Sequence, residues 1–292
     1  MDISTIINNI NTKGYCIIEN MLNPNEIFIA KELFYNWINT IHNFDYLHNK
    51  INPHNIIKFH QVGHQEFAWY LRTLPQIINI FANIWNTNVD NLVCSFDGCC
   101  YIKENDNKLN TKCWTHTDQA PKSNGFKCIQ GFISLTDNTH NSFVVYEGSH
   151  LLHESYFKEI NKSDDSKNWH LINLDYLNTI NDKKNILHVP AGSLVLWDSR
   201  TFHQNIHSSS NEERIVQYIC MLPKNNYNNS ESMKKKRLKY FNELRTTSHW
   251  PYPIKVNSLQ PQTYGNKDLL INYDNLQKPN LNNYLHNIKK LI

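Results

Sequence analysis

The sequence predicts a mostly β protein, a sandwich or jelly roll, with helices flanking it. Short apolar or alternating runs crowd residues 92–222. Turn-forming residues separate them, at Asn105-Asp106-Asn107, Asp137-Asn138, Glu147-Gly148-Ser149 and Pro190-Ala191-Gly192. Helical spacing, by contrast, is concentrated ahead of this region, so the helices buttress a sheet core from one end of the chain.

Taken in order, residues 5–13 carry helical spacing and Gly14-Tyr15-Cys16-Ile17-Ile18 reads as a short strand. Residues 24–42 form a second helix, since Ile27, Leu33, Phe34, Trp37, Ile38 and Ile41 fall at steps of three and four. Pro24 opens it after an Asn23 cap. A further helical stretch spans 64–86, interrupted near Pro75. Strands are expected at 92–103, 126–135, 142–146, 186–190, 193–198 and 213–222. Residues 155–185 read as a polar insertion with a helix around 172–180. Beyond them, SMKKKRLKYFNELR opens the tail as a basic helix. With no repeat and no linker, the simplest organisation is one domain over 1–292. It has helical support over about 1–90, a β core over 92–222 and an extension over 223–292.

Forty per cent apolar residues and 12% aromatics supply a sizeable core and exclude a disordered chain. A formal charge of +3 says little about nucleic acid, for which a basic face would be expected, and leaves the partner question open. Seven cysteines, an odd number without a Cys-x-x-Cys pair, point to reduced thiols in an intracellular, cytoplasmic setting and not to a disulfide framework. The first residues lack the basic head and long apolar stretch of a secretory leader. No apolar run is long enough for a membrane span.

The chemistry begins at Trp114-Thr115-His116-Thr117-Asp118-Gln119. On a strand, His116 and Asp118 project to the same side and can share one cation. His203, which follows the run PAGSLVLWD and its polar turn, is the natural third ligand. Two histidines and one carboxylate with open positions suit iron(II), although tetrahedral zinc uses the same residue types. Arg214 lies on the next alternating strand, where a guanidinium is costly to bury unless paired. A dicarboxylate co-substrate would pair it through a bidentate hydrogen bond; a salt bridge to Asp198 or Glu213 is the plainer alternative.

His116-Thr117-Asp118, GFISLTDNTHNSFVVYEGSH (131–150), VPAGSLVLWDSRTFHQN (189–205) and Arg214, eleven residues after His203, together resemble the phytanoyl-CoA dioxygenase family. That resemblance spans about 92–222. It implies a double-stranded β-helix (cupin-like jelly roll) and dependence on iron(II), 2-oxoglutarate and O₂, with ascorbate as an activator. It implies oxidative decarboxylation of 2-oxoglutarate to succinate and CO₂ coupled to hydroxylation of a substrate C–H bond. The presence of Asp118 favours hydroxylation over halogenation, because related halogenases carry a small residue there. Asn141-Ser142 and Glu147-Gly148-Ser149-His150 depart from the family's Asn-Gly and Pro-Gly-Ser-His, both in loops.

Asn205, on the His203 face, and Tyr101 and Gln130, on strands flanking the His-x-Asp segment, are candidate co-substrate contacts; a turn amide and ordinary core residues are the alternatives. Trp114 and Trp197 read as core aromatics, and His150 as support for its own loop. His249 has no assigned role. Lys234-Lys235-Lys236-Arg237 is either a solvated helix face or a contact for a phosphate-bearing substrate. The expected substrate is a small molecule. A macromolecular substrate (protein or nucleic acid) and a non-catalytic jelly-roll binding protein are the competing functions.

Overall fold

The computed structural model describes residues 1–163 and 167–292; the 164–166 part of the expected 155–185 insertion lies outside the described residues. The chain begins with α1 (Ile3–Lys13), β1 (Tyr15–Ile18), α2 (Pro24–Ile38), α3 (Phe44–Ile51), β2 (Ile56–Ile57), α4 (Glu66–Arg72) and α5 (Pro75–Ile84). The β-rich centre holds β3 (Leu92–Cys94), β4 (Cys99–Ile102), β5 (His116–Thr117), β6 (Ile129–Ser134) and β7 (Phe143–Tyr146). Then come α6 (His153–Glu159), β8 (His170–Leu171), α7 (Leu174–Thr179), β9 (Lys184–Ile186), β10 (Leu194–Asp198), β11 (His203–Asn205) and β12 (Arg214–Pro223). Two further helices, α8 (Glu231–Asn242) and α9 (Leu285–Leu291), complete it. The fold is mostly antiparallel sheet with flanking helices, the jelly-roll class.

Contacts divide the chain into two compact units. The first comprises Met1–Glu19 and Ile102–Arg214. Within it β10 lies between β1 and β6, and a five-stranded antiparallel sheet runs β8-β5-β11-β7-β9. The two layers meet through aromatic side chains: Phe143 of β7 packs 5.5 Å from Phe132 of β6 and 4.8 Å from Trp197 of β10. Alternation explains this, because Gln130, Phe132 and Ser134 share one face of β6. The N-terminal segment is tied in by Gly14, whose φ of +84° closes α1 in the left-handed region. A Cβ at Gly14 would lie 2.6 Å from His150 Nδ1 and 2.7 Å from Thr201 Oγ1, so only glycine fits there.

The second unit comprises Asn20–Tyr101 and Ile215–Ile292. Its α2 opens on a capping box, with Glu26 N donating to Asn23 Oδ1 (3.0 Å) and Asn23 N to Glu26 Oε2 (2.9 Å). The apolar stripe of α2 places Phe34 and Trp37 against Phe67, Phe44 and Tyr101. Here β12 pairs with β3, and β4 with β2.

Several expectations shift in detail. The strand expected over 92–103 breaks into β3 and β4 around Gly98, where a Cβ would stand 2.0 Å from Ile57 O and where Arg72 donates to Asp97 O (2.6 Å). The helix expected over 24–42 stops at Ile38, and the 186–190 strand sits at 184–186, with Val189 bridging Asn138. α3 and α6 were not foreseen; they are short and owe their helicity to buried residues such as Phe44, Leu47, Tyr156 and Phe157. Among the described residues no helix is long and apolar enough to cross a membrane.

Candidate metal centre

His116 and His203 are direct cross-strand partners on β5 and β11, which puts both imidazoles on one face with ring centroids 4.3 Å apart. Asp118 follows His116 by two residues and shares that face. Its Oδ1 lies 3.7 Å from His116 Nε2 and its Oδ2 3.4 Å from His203 Nε2. The three ligand atoms lie within 4.8 Å of one another, and all three residues are buried. Among the described residues this is the one such cluster of His, Cys, Asp and Glu.

Backbone carbonyls decide the tautomers. His116 Nδ1 donates to Trp114 O (3.2 Å) and His203 Nδ1 to Thr201 O (2.9 Å). A carbonyl only accepts, so each Nδ1 carries a proton; in the neutral imidazole that leaves each Nε2 with a lone pair turned toward the carboxylate. Two lone pairs and an anion repel one another unless a cation sits among them. The donor set therefore fits a divalent metal, and the two Nδ1–H bonds are the supports that metal-bound histidines use.

The loop between β10 and β11 locks this arrangement. Ser199 O accepts from Asp118 N (2.9 Å) and Thr117 Oγ1 (3.0 Å), and Ser199 Oγ donates to Gln119 Oε1 (2.8 Å). On the far side of β11, Gln204 Oε1 accepts from Trp114 N (3.0 Å) and Thr115 Oγ1 (2.7 Å). Gly14 O accepts from Asp198 N (3.0 Å) and Thr201 Oγ1 (2.8 Å), which ties α1 to the residue that holds His203.

Arg214 is 0% exposed, yet among the described residues no carboxylate lies within ion-pair distance of it. Its Nη1 donates to Asn141 O (3.1 Å) and Asn138 Oδ1 (3.4 Å), and its Nη2 to Asn205 Oδ1 (3.2 Å). Nε has no partner, and the guanidinium lies 5.1 Å from the Phe132 ring centre. Asp198, one of the two salt-bridge alternatives for Arg214, is instead held bidentately by Arg200 (2.7 and 3.0 Å). A buried cation with only neutral partners needs an anion to balance it, so the chemistry here suits a carboxylate ligand. The loop that carries Asn138 and Asn141 is held by a dense set of hydrogen bonds. Glu212 accepts from Thr139 N (2.5 Å), His140 N (2.7 Å) and Asn141 N, and Asn141 Oδ1 accepts from Ser208 N and Ser209 N.

The other candidates separate. Asn205 meets Arg214 on the strand face of His203. Gln130 is 1% exposed and neither side-chain atom of its amide finds a partner. Tyr101 belongs to the second unit, its ring 5.2 Å from Phe34 and 5.7 Å from His48. His150 Nε2 meets Asn11 O at 3.0 Å, and burial holds its pKa below the ordinary histidine value. His249 pairs with Asp97 (2.5 Å). The basic run is not one face: Arg237 is buried and donates to Asn228 O, whereas Lys234 pairs with Glu231 (2.8 Å).

Two residues gain weight that their sequence context did not give them. Trp197 is the register partner of Gln130 and lies 5.3 Å from the His203 ring, with its buried indole N–H unpartnered. Its place beside the aspartate of the β10 turn could have flagged it. Trp169, in the polar insertion, lies 5.4 Å from His116 while 46% exposed, and no local pattern marks it. Trp114 stacks on His116 at 4.7 Å.

No family model matches the chain. A curated relative, Ava biosynthesis cluster protein O of Aspergillus versicolor, is 31% identical over 178 residues, covering 57% of each chain; this chain thus matches little more than half of that relative's length. Among solved structures, GlcNAc-inducible GIG2 (DUF1479) of Candida albicans superposes with a TM-score of 0.65 at 14% identity, over 98% of this chain and 73% of its own. The epimerase SnoN, in complex with Fe³⁺, α-ketoglutarate and nogalamycin RO, superposes with a TM-score of 0.52 at 16% identity, over 76% of this chain and 83% of its own. These likenesses bear on the fold.

Proposed function

We propose that this chain is an iron(II)- and 2-oxoglutarate-dependent dioxygenase of the phytanoyl-CoA dioxygenase type that hydroxylates a small molecule with release of succinate and CO₂. The reading is carried by one observation. Two imidazole Nε2 atoms and a carboxylate converge in the same buried layer of the fold that holds a guanidinium with no anionic partner among the described residues. Support comes from the fold neighbour SnoN, whose structure contains Fe³⁺ and α-ketoglutarate.

On this reading His116, Asp118 and His203 hold the metal, and Arg214, steadied by Asn205, receives the distal carboxylate of 2-oxoglutarate. Iron bound there supplies O₂ activation, with 2-oxoglutarate as the electron source. Gln130 and the Trp197 N–H offer further hydrogen bonds to a polar ligand, since both are buried without partners. Phe132, Phe143 and Trp197 keep water from the layer between the sheets.

Protein given iron(II), ascorbate and 2-oxoglutarate should release succinate slowly without substrate, and His116→Ala or His203→Ala should abolish the release. Metal binding without any consumption of 2-oxoglutarate would leave a non-catalytic binding protein instead. Product mass then distinguishes hydroxylation, which adds one oxygen, from epimerisation, which adds none.

A further inference from the structure

The second unit contains a cavity of about 610 Å³ that none of the metal-centre residues lines. One wall comes from the α2–α3 region through Ile41, Tyr46 and Leu47, the other from the tail through Asp268 and Leu276, with His60 between them in sequence. His60 is 1% exposed, and neither ring nitrogen has a hydrogen-bond partner. Buried imidazoles are ordinarily satisfied on at least one side. Its backbone, like that of Gln61, sits in the left-handed region (φ +56° and +58°), where only a well-determined surrounding holds a non-glycine residue. Tyr46, 45% exposed, leaves the cavity open to solvent.

The lining chemistry selects the ligand. Among the described residues the space is faced by no lysine or arginine, by two histidines (His42 and His60) and by one carboxylate, Asp268, so an anion is disfavoured. The volume falls within the range of small-molecule sites. Ile41, Leu47 and Leu276 provide apolar surface. Burial keeps His60 neutral, its pKa lowered to about 4, so the ring offers one N–H and one lone pair together. A hydroxyl group, donor and acceptor at once, complements that pair.

We infer that this cavity is a second binding site, for a neutral or cationic amphipathic small molecule whose hydroxyl group engages His60. The inference is independent of the oxygenase reading. It also gives the C-terminal extension a role, as the wall of the site.

Three probes of matched shape test it: phenylethanolamine, phenylethylene glycol and mandelate, which share a phenyl carbinol and differ in charge. Each is titrated into the full chain while the ring signals of Tyr46 and the methyl signals of Leu47, both in the cavity wall, are followed by NMR. Saturable shifts are expected with the amino alcohol and the glycol below ~10 mM, with mandelate at least tenfold weaker. His60→Phe should abolish the response. Leu276→Trp, which fills the space from the tail side at a half-buried position, should do the same if His60→Phe fails to fold. Metal binding should be unchanged in either folded variant. The inference is overturned if no probe saturates, if mandelate binds as well as the amino alcohol, or if binding survives in a folded variant.

Discussion

Replacing Arg214 with methionine separates a structural arginine from a ligand-binding one. In the ligand-free protein the guanidinium has three hydrogen bonds of 3.1–3.4 Å to neutral acceptors and one aromatic face. At about 1 kcal/mol for each contact these sum to ~4 kcal/mol. Opposing them is the desolvation of a cation without a counter-charge, several kcal/mol by itself. Methionine keeps most of the volume. Asn138 Oδ1 stays satisfied by Ser134 Oγ at 2.9 Å. The opposing contributions nearly cancel, so the ligand-free variant should unfold within ~2 kcal/mol of the parent, a midpoint shift of ~5 °C or less. Binding of 2-oxoglutarate should respond far more. Loss of a desolvated charge pair costs about 2–5 kcal/mol, so affinity should fall at least ~30-fold. Anaerobic calorimetric titration of the iron(II) protein measures this, and thermal unfolding without ligand measures the other half. A ligand-free loss above ~3 kcal/mol would make Arg214 a structural clamp, and unchanged 2-oxoglutarate affinity would refute its role as the carboxylate receptor.

Gln130→Leu should raise ligand-free stability by about 1–3 kcal/mol, because a fully buried, unpartnered amide disappears; the same variant should bind 2-oxoglutarate or substrate more weakly, read by titration. Gly14→Ala forces a Cβ against His150 and Thr201 at a left-handed φ, so it should cost about 2 kcal/mol or more in thermal unfolding. Because Thr201 O holds His203, that variant should also weaken cobalt(II) binding followed by its visible absorption. His64 is fully buried, and burial lowers its pKa to about 3, below the ~6.5 of the unfolded chain. Between those values the unfolded state binds the extra proton, so stability is complete above pH ~6.5 and declines as pH falls, by up to ~1.4 kcal/mol per pH unit. His64→Gln should flatten that slope in denaturant titrations across pH 4–7; an unchanged slope would assign the acid sensitivity elsewhere.

Much of the fold class was legible locally. The Asn23-Pro24-x-Glu26 start, the α2 stripe and the turn residues of the β region each act through neighbours a few positions away. For the same reason His116 and Asp118 could be placed on one strand face: alternation is a property of the backbone. Short helices such as α3 and α6 escaped because burial, not propensity, makes them helical, and the break beside Gly98 escaped because the groups around it, Arg72 on Asp97 O and Ile57 O against Gly98, come from distant segments. The basic run misled in part, since nothing local shows that Arg237 turns inward to Asn228.

What the chain determined by itself was the class of fold and the identity of the groups proposed to bind a metal and an anion. Only the tertiary structure decided how they meet. The β5–β11 register sets His116 across from His203, carbonyls at Trp114 and Thr201 hold their Nδ1 protons, and the packing around Arg214 gives it only neutral partners among the described residues. Cross-strand register and burial depend on residues far apart in sequence, and so does the electrostatic demand they place on a site.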